Sequence, residues 1–511
     1  MKAKFVLFSL LIIFQMFSYA QQGFVFELED KAGESLDAIA VVETNESDYL
    51  LVNRVRQFGY SFPKETRITK ISSEGVFLDE ISLNVYDTIV ILTDLIPHPD
   101  IEDRYIGLGI VGLENGESDR IVVMQLNANL ETDNFHTIHI PDIVRLGTFT
   151  KFIVHSEDDI VVASNYNPNN SLLSQPLFYA RITVQGELKE FVLDTNNPSL
   201  LGAFFLLEDS INRKYGIMRF TRDTNLGDVL SVYELDTELN SSFMTYIPHV
   251  YKEENGSYYS LLFSSPNQTV RPYLNENFLT AVIVRESWRT LSTIDDRSPI
   301  LFRTGKDFVY DENESIIFAS KNDTIEYPTY FSAFDFIDPN YIFYSFHSNM
   351  IPQDAPCQLV PSYIVINKLN ADLEIQWQYY YGRGEHYIPK FTFATSDGGC
   401  LITGCKYDFN TQCKHDMFVI KLNSEGLIGL DEEPELVQEM VVYPNPFHDR
   451  VQLLLPPNTC RVSVYNSNGM LIKTGNGNCN ELFLGDVPVG LYIVTAQTVE
   501  GKVYIQKVVK E

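Results

Sequence analysis

Hydrophobic and polar residues alternate over short stretches along most of the chain, and turn-forming residues separate these stretches. Such alternation is the period of a β-strand with one buried face. One sequence pattern recurs through residues 21–428: a predicted β-strand, a short turn of Asn, Asp, Ser or Gly, and a second predicted β-strand. Its clearest copies centre on Ile71, Leu126, Ile182, Leu235, Leu369 and Leu422. Because long stretches with helical periodicity are almost absent, we predict an all-β protein.

The six positions recur at steps of 55, 56, 53, 134 and 53 residues. A period of this length with about four strands per repeat is typical of propeller blades, whereas unrelated β-sandwiches would not recur in step. The long step leaves room for a degenerate copy near Trp288. We therefore predict a β-propeller over residues 21–428 with seven blades, and eight as the alternative. Closing it would require Phe24–Leu28 to complete the last blade, which removes an exposed sheet edge.

The last seventy-odd residues, 441–511, are predicted to form a separate small domain. Short strands and turn signals alternate here, which predicts a compact Ig-like β-sandwich. Four short motifs stand along this stretch: Tyr443-Pro444-Asn445-Pro446, Val464-Tyr465-Asn466-Ser467-Asn468-Gly469, Gly490-Leu491-Tyr492 and Lys507-Val508-Val509-Lys510.

These four motifs and their spacing closely resemble the type A C-terminal sorting domain of the type IX secretion system. The resemblance implies a sorting signal carried by Tyr443, Pro444, Asn445, Pro446, Gly469, Gly490, Tyr492, Lys507 and Lys510. It also implies that the outer-membrane secretion machinery is a partner, that the domain is commonly cleaved, and that the cargo is released or attached to the surface. The alternative is an Ig-like ligand-binding module that travels with its neighbour.

The repeat over residues 363–428 resembles propeller-type repeats common in secreted proteins of this secretion system. It carries Asp397-Gly398-Gly399 in a tight hairpin turn and Lys421-Leu422-Asn423 before the next turn. Gly404 is expected to let the backbone pass a crowded point. This resemblance implies a fold and no activity.

The beginning of the chain predicts a signal peptide over residues 1–20. Lys2 and Lys4 precede an apolar run at 5–14, and Ser18 and Ala20 provide small residues before a cleavage site. The run is too short for a comfortable membrane span, and no second one follows. We expect a mature chain without a transmembrane segment, which passes through the periplasm and is secreted or held at the outer cell surface.

The chain is strongly acidic, with a formal net charge of −30. This charge repels nucleic-acid phosphates and anionic membrane surfaces, so we expect no nucleic-acid partner. The acidic segment 429–440, which contains Pro434, is predicted to be an exposed linker and a place for maturation cleavage.

All six cysteines lie in the last third of the chain. An even number of cysteines in an exported protein favours disulfide bonds. We expect Cys460 to pair with Cys479 and Cys405 with Cys413, whereas Cys357 and Cys400 stay unassigned. A zinc site at Cys400, Cys405, Cys413 and His415 is the alternative, but the spacing is not that of a zinc ribbon or finger.

The sequence contains no nucleophile elbow, no zinc-protease helix motif and no phosphate loop. We therefore predict no catalytic, cofactor-binding or metal-binding residues, and two functions stay open. The first is a secreted or surface-attached binding protein with a protein or glycan ligand. The second is a secreted hydrolase of polysaccharide or peptide, with acidic residues at the propeller channel. Loop tyrosines such as Tyr330 and Tyr380 could stack on sugars or pack between blades.

Overall fold

A computed structural model gives the structure of the chain. It describes residues 23–28, 34–57, 63–83, 89–112, 120–141, 146–166, 175–199, 204–209, 214–223, 227–236, 238–247, 250–252, 258–262, 270–274, 277–286, 297–305, 314–318, 326–348, 362–382, 385–407, 415–428, 440–443, 445–455, 459–466, 470–476, 479, 481–498 and 503–511. The predicted signal peptide and nearly all of the predicted linker lie outside these residues. The chain divides into a larger unit, Met1–Leu427, and a smaller unit, Ile428–Glu511.

The larger unit contains seven antiparallel sheets among its described residues. The first strand, β1 (Phe24–Leu28), belongs to the last of them. Sheet 1 contains β2 (Glu34–Glu43), β3 (Tyr49–Gln57), β4 (Pro63–Ile71) and β5 (Phe77–Ser82). Sheet 2 contains β6 (Ile89–Pro97), β7 (Arg104–Gly112), β8 (Arg120–Asn127) and β9 (Thr132–His139). Sheet 3 contains β10 (Leu146–Ser156), β11 (Asp159–Tyr166), β12 (Gln175–Ile182) and β13 (Leu188–Ser199).

Sheets 4 to 7 continue this order, with extra short strands in two of them. Sheet 4 contains β14 (Phe204–Asp209), β15 (Lys214–Asp223), β16 (Gly227–Leu235) and β17 (Ser241–Ile247). Sheet 5 contains β18 (Val250–Lys252), β19 (Tyr258–Leu262), β20 (Val270–Pro272), β21 (Phe278–Glu286), β22 (Arg297–Thr304) and β23 (Ser315–Ile317). Sheet 6 contains β24 (Tyr327–Pro328), β25 (Phe334–Asp335), β26 (Ile342–Ser348), β27 (Tyr363–Leu369) and β28 (Ile375–Tyr381). Sheet 7 contains β29 (His386–Ala394), β30 (Cys400–Tyr407) and β31 (His415–Leu422), followed in space by β1.

The strand nearest the beginning of the chain closes the last sheet. β1 pairs antiparallel with β31, so that Phe24 lies opposite Lys421 and Leu28 opposite Met417. This is the closure that the sequence predicts. It joins the two ends of the larger unit, because sheet 7 also contacts β2 of sheet 1.

Each sheet of the larger unit contacts the next, and the last contacts the first. The connecting contacts are β2 with β6, β6 with β10, β10 with β14, β14 with β20, β21 with β24, β26 with β29, and β29 with β2. Apolar side chains fill the spaces between sheets 7 and 1, 1 and 2, and 2 and 3. The inner strands β2, β6, β10 and β29 therefore face a common centre, as in the β-propeller that the sequence predicts. The described residues of the larger unit contain seven such sheets, and the number of blades, seven with eight as the alternative, stays a prediction.

Three ion pairs join equivalent positions of the repeats. In sheets 1, 3 and 7, the residue before the repeated aliphatic position is a cation that reaches an aspartate at the preceding hairpin turn. The pairs are Lys70–Asp48 at 3.1 Å, Arg181–Asp159 at 3.2 Å and Lys421–Asp397 at 2.8 Å. We call these three contacts the repeat clasps.

Two glycines of sheet 7 stand where the sequence requires them. Gly398 has a φ of +81°, a backbone conformation that other residues rarely adopt, as expected for the tight turn after Asp397. A Cβ on Gly404 would lie 2.2 Å from the Ile388 carbonyl oxygen, which confirms the predicted crowding.

The smaller unit is a sandwich of two antiparallel sheets. One contains β32 (Val441–Tyr443), β33 (Arg450–Leu454) and β36 (Glu481–Phe483). The other contains β34 (Thr459–Asn466), β35 (Leu471–Asn476), β37 (Gly490–Thr498) and β38 (Val503–Lys510), in the order β35-β34-β37-β38. Val451, Val464, Tyr492 and Val508 are among the residues that form its core.

Candidate functional site

The first sorting motif lies against the last strand of the chain. The Asn445 side chain donates through Nδ2 to the Lys507 carbonyl at 3.2 Å and accepts the Val509 amide through Oδ1 at 2.8 Å. Two residues later, the Phe447 amide donates to the Val509 carbonyl at 2.8 Å, and the Glu511 amide donates to the Phe447 carbonyl at 2.9 Å. The Asn445 side chain therefore pairs with β38 as a neighbouring strand would, since its amide group satisfies two backbone groups of β38.

Lys510 is the second organising residue of this region. Its side chain is buried, and its Nζ donates to the carbonyls of Leu484 at 2.8 Å, Gly485 at 3.0 Å and Val487 at 2.8 Å. The Tyr492 hydroxyl donates to the Pro488 carbonyl at 2.5 Å in the same segment. Among the residues that the structure describes, no carboxylate pairs with this ammonium group, and three backbone oxygens satisfy its three donors.

The structure brings several of the predicted sorting residues together and leaves others apart. Asn445, Lys507 and Lys510 meet at β38, and Tyr492 lies on the neighbouring strand β37. Gly490 begins β37 with a φ of +154°, which favours glycine. Lys507 has an exposed side chain, Tyr443 ends β32, and Pro446 follows Asn445 in an exposed bend. Pro444 and Gly469 lie outside the described residues.

A second group of polar side chains lies in the larger unit, beside a short loop of sheet 6. The amides of Phe331 and Ser332 donate to the Lys390 carbonyl at 2.7 and 3.3 Å, and the Thr392 amide donates to the Ser332 carbonyl at 2.8 Å. The Thr329 and Thr392 hydroxyls both contact the hydroxyl of Ser345, which lies on β26. These backbone hydrogen bonds therefore hold the loop against β29.

This fixed loop places two aromatic rings next to two cations. Lys390 Nζ lies 4.7 Å from the centre of the Tyr330 ring and 6.0 Å from that of Phe331. The Arg54 guanidinium carbon lies 5.6 Å from the Phe331 ring centre, and its Nη2 donates to the Leu92 carbonyl at 3.2 Å. These distances are those of cation–π contacts, so the ring of Phe331 connects cations from sheets 1 and 7.

A third cation, Lys151 of β10, extends the group towards sheets 2 and 3. Burial lowers the pKa of Lys151; the nearby Asp94 carboxylate opposes this effect, whereas Arg54 adds to it. Burial likewise raises the pKa of Asp94, against the influence of Lys151 and the Leu95 amide. Arg54 has its pKa lowered to about 10 by burial and by the neighbouring Arg56. We call Arg54, Lys151, Lys390, Tyr330 and Phe331 the cation–aromatic cluster.

The cations of this cluster differ from other cations nearby. Arg56 pairs with Asp37 at 3.2 Å, and Arg271 pairs with Asp335. In contrast, no carboxylate of the described residues lies within 4.0 Å of a charged nitrogen of Arg54, Lys151 or Lys390. The cluster therefore presents positive charge that the described part of the protein does not neutralise by direct contact.

Sequence reasoning named only one member of this cluster, Tyr330, as a loop aromatic that could stack on a sugar. The other tyrosine named with it, Tyr380, is exposed on β28, and its hydroxyl donates to the Gln378 side chain at 3.2 Å. The three cations come from β3, β10 and β29, and nothing in their local sequence distinguishes them from ordinary strand residues. The hydrolase hypothesis expected acidic residues at the propeller channel; beside the cluster, the acidic side chain of Asp94 interacts with Lys151.

The expected disulfide bonds are not found. Cys400, Cys405, Cys460 and Cys479 are free thiols, and Cys357 and Cys413 lie outside the described residues. Cys460 Sγ is directed to β37, where it contacts the Gln497 carbonyl at 3.2 Å, whereas Cys479 packs against the core of the smaller unit. The two side chains therefore do not meet. Among the described residues no group of three or more His, Cys, Asp or Glu side chains could hold a metal ion.

Comparison with known proteins identifies the smaller unit. Residues 441–511 match the family described as the secretion system C-terminal sorting domain. No curated protein matches the chain. Similar solved structures include the polysaccharide lyase Uly1, at 10% identity and a TM-score of 0.43, over 76% of this chain and 90% of that chain.

Two further solved structures share this distant similarity. The GH93 α-L-arabinofuranosidase of Fusarium graminearum has 12% identity and a TM-score of 0.39, over 64% of this chain and 92% of that chain. The β-propeller domain of the trilobed protease of Pyrococcus furiosus has 7% identity and a TM-score of 0.38, over 82% of this chain and 100% of that chain. At these values no activity is transferred to this chain.

The class of protein follows from the fold and from the matched domain. The chain combines a propeller-like all-β body with a C-terminal sorting domain, so it is an exported protein. The sorting domain is that of the type IX secretion system, which delivers this chain to the cell surface or the medium. None of the described segments is a helix long and apolar enough to cross a membrane.

Proposed function

We propose that the propeller body is a non-catalytic binding module, delivered to the cell exterior by its C-terminal domain. The observation that carries this proposal is the cation–aromatic cluster, in which a hydrogen-bonded loop fixes two rings beside cations that make no direct ion pair with the described carboxylates. Fixed groups of this kind suit recognition, since little conformational entropy is lost when a ligand binds.

A hydrolase is the second candidate, and Asp94 is the observation that favours it. Its raised pKa beside the lowered pKa of Lys151 is a pattern found at catalytic sites. However, glycoside hydrolysis ordinarily requires two carboxyl groups. Asp94 is linked to the cluster through Lys151, whereas Asp37 pairs with Arg56 and Asp335 with Arg271. This balance supports binding.

The remaining parts of the chain fit the export route in the same proposal. Residues 1–20 direct passage across the inner membrane, and residues 441–511 direct passage across the outer membrane. The segment 429–440 connects the body, 21–428, to the sorting domain and is where maturation cleavage falls. Tyr443, Pro444 and Gly469 complete the signal that Asn445, Pro446, Gly490, Tyr492, Lys507 and Lys510 form around β37 and β38.

The test is to incubate the purified exported protein with a panel of polysaccharides and unfolded proteins. Binding is measured by calorimetry, and cleavage is measured by the release of new chain ends over time. We expect saturable binding without product. Time-dependent product formation that Asp94→Asn abolishes would contradict the proposal and favour the hydrolase.

A further inference from the structure

We propose that the cation–aromatic cluster binds an acidic carbohydrate, a glycan chain that carries carboxylate or sulfate groups. This inference rests on the proposed binding function and specifies its ligand. The cluster combines an exposed aromatic ring, Tyr330, with three cations drawn from sheets 1, 3 and 7.

The first argument is the contrast between local and overall charge. The whole chain carries a formal net charge of −30, so a polyanion is repelled by most of its surface. Arg54, Lys151 and Lys390 are nevertheless half-buried and lack a carboxylate in direct contact among the described residues. Burying an unpaired charge is costly. Acidic groups of a ligand would supply the missing partners.

Burial is the main cause of the lowered pKa values of Arg54 and Lys151, and neighbouring cations add to it, against the influence of Asp37 on Arg54 and of Asp94 on Lys151. A bound carboxylate or sulfate would stabilise the charged forms and move both pKa values back towards their ordinary range. Arg54 can in addition present its planar guanidinium to two oxygens of one acidic group.

The second argument is the aromatic component, which favours a carbohydrate over an acidic peptide. The C–H face of a sugar ring can lie on an exposed aromatic ring while its acidic group points towards a neighbouring cation. Tyr330 is 37% exposed, and Lys390 Nζ lies 4.7 Å from its ring centre, so both contacts are available at one place. Acidic side chains of a peptide offer charge without such a flat face.

The third argument is the rigidity of the loop. The Tyr330 amide donates to the Pro389 carbonyl at 3.3 Å, and the Phe331 amide donates to the Lys390 carbonyl at 2.7 Å. The main chain that carries the rings is thereby joined to the strand that carries Lys390. Ligand binding therefore does not have to order this part of the site.

The test is titration calorimetry of the purified exported protein with four polymers. The probes are polygalacturonate, which is carboxylated, dextran sulfate, which is sulfated, dextran, which is neutral, and poly-glutamate, an acidic peptide. We expect binding to one or both acidic glycans, weakened by salt, and at least tenfold weaker binding to dextran and poly-glutamate. The acidic glycan that binds more tightly distinguishes carboxylate from sulfate.

Variants assign the binding to the cluster. Lys390→Gln and Lys151→Gln are each expected to weaken binding to the acidic glycan about tenfold, through the loss of one charged contact. Tyr330→Ala should weaken it similarly, whereas Tyr330→Phe, which keeps the ring, should bind like the wild type. Lys189→Gln removes the same charge from an exposed position on β13 and is the matched control.

The results that would contradict the inference differ in what they imply about the ligand. Equal effects of Lys390→Gln and Lys189→Gln, with unchanged thermal stability, would place the acidic glycan elsewhere. Equal binding of poly-glutamate would assign the cluster to acidic peptides, and binding of dextran alone would remove the role of charge. Those three results overturn this inference but leave a binding function, whereas cleavage of any polymer overturns the proposed function itself.

Discussion

At the scale of single residues, Lys510 is the clearest link between the sorting motif and the stability of the smaller unit. It is a buried ammonium group that donates three hydrogen bonds to the segment between β36 and β37. Sequence reasoning placed it in the sorting signal through a resemblance alone. The structure gives it a physical role, because removing it would leave three carbonyl groups short of a donor.

We therefore expect Lys510→Met to lower the free energy of unfolding of the smaller unit by about 2 kcal/mol, the scale of lost bonds to a charged group. Native-state hydrogen exchange of residues 481–498 and 503–511 in the full chain would measure this change. Lys507→Met is the matched control on the same strand, since the Lys507 side chain is exposed. Equal exchange in the two variants would contradict the role given to Lys510.

At the scale of elements, the repeat clasps explain why a cation often precedes the repeated aliphatic residue. Lys70, Arg181 and Lys421 each pair with an aspartate at the neighbouring hairpin turn. Their burial differs, because the Lys421 side chain is fully buried whereas those of Arg181 and Asp159 are partly exposed. Breaking a buried pair is more costly than breaking an exposed one, since it leaves an uncompensated charge inside the protein.

Asp397→Ala is therefore expected to lower the local free energy of unfolding of sheet 7 by about 3 to 5 kcal/mol. Asp159→Ala, its equivalent in sheet 3, should cost less than about 1 kcal/mol. Hydrogen exchange of residues 385–407 and 146–166 would give both values from the intact chain. Similar losses at the two sites would show that burial does not decide the strength of the clasps.

Elements were also the scale at which the sequence was most informative. Strand periodicity and the spacing of Ile71, Ile182 and Leu422 predicted the sheets, and the closing strand at Phe24–Leu28 was predicted from the need to cover an edge. The cation–aromatic cluster could not be predicted in this way. Its cations lie up to 336 residues apart, from Arg54 to Lys390, and only the packing of different sheets against each other makes them neighbours.

At the scale of the whole molecule, the export signal and the proposed ligand-binding cluster lie in different units of the chain. The smaller unit carries the sorting domain, and the larger unit carries the cluster. The strong negative charge agrees with a polyanion being held only where cations are concentrated. The net charge and the repeat length describe averages over the chain, so neither could predict where the cation–aromatic cluster lies.

The central claim is that residues 441–511 deliver the propeller to the cell exterior. The most direct measurement is fractionation of producing cells that express either the intact chain or a chain ending at Glu439, with protease resistance of the body as the control for folding. We predict that the intact chain reaches the surface or the medium, whereas the shortened chain accumulates in the periplasm in a folded form. Equal delivery of both chains to the exterior would contradict the account.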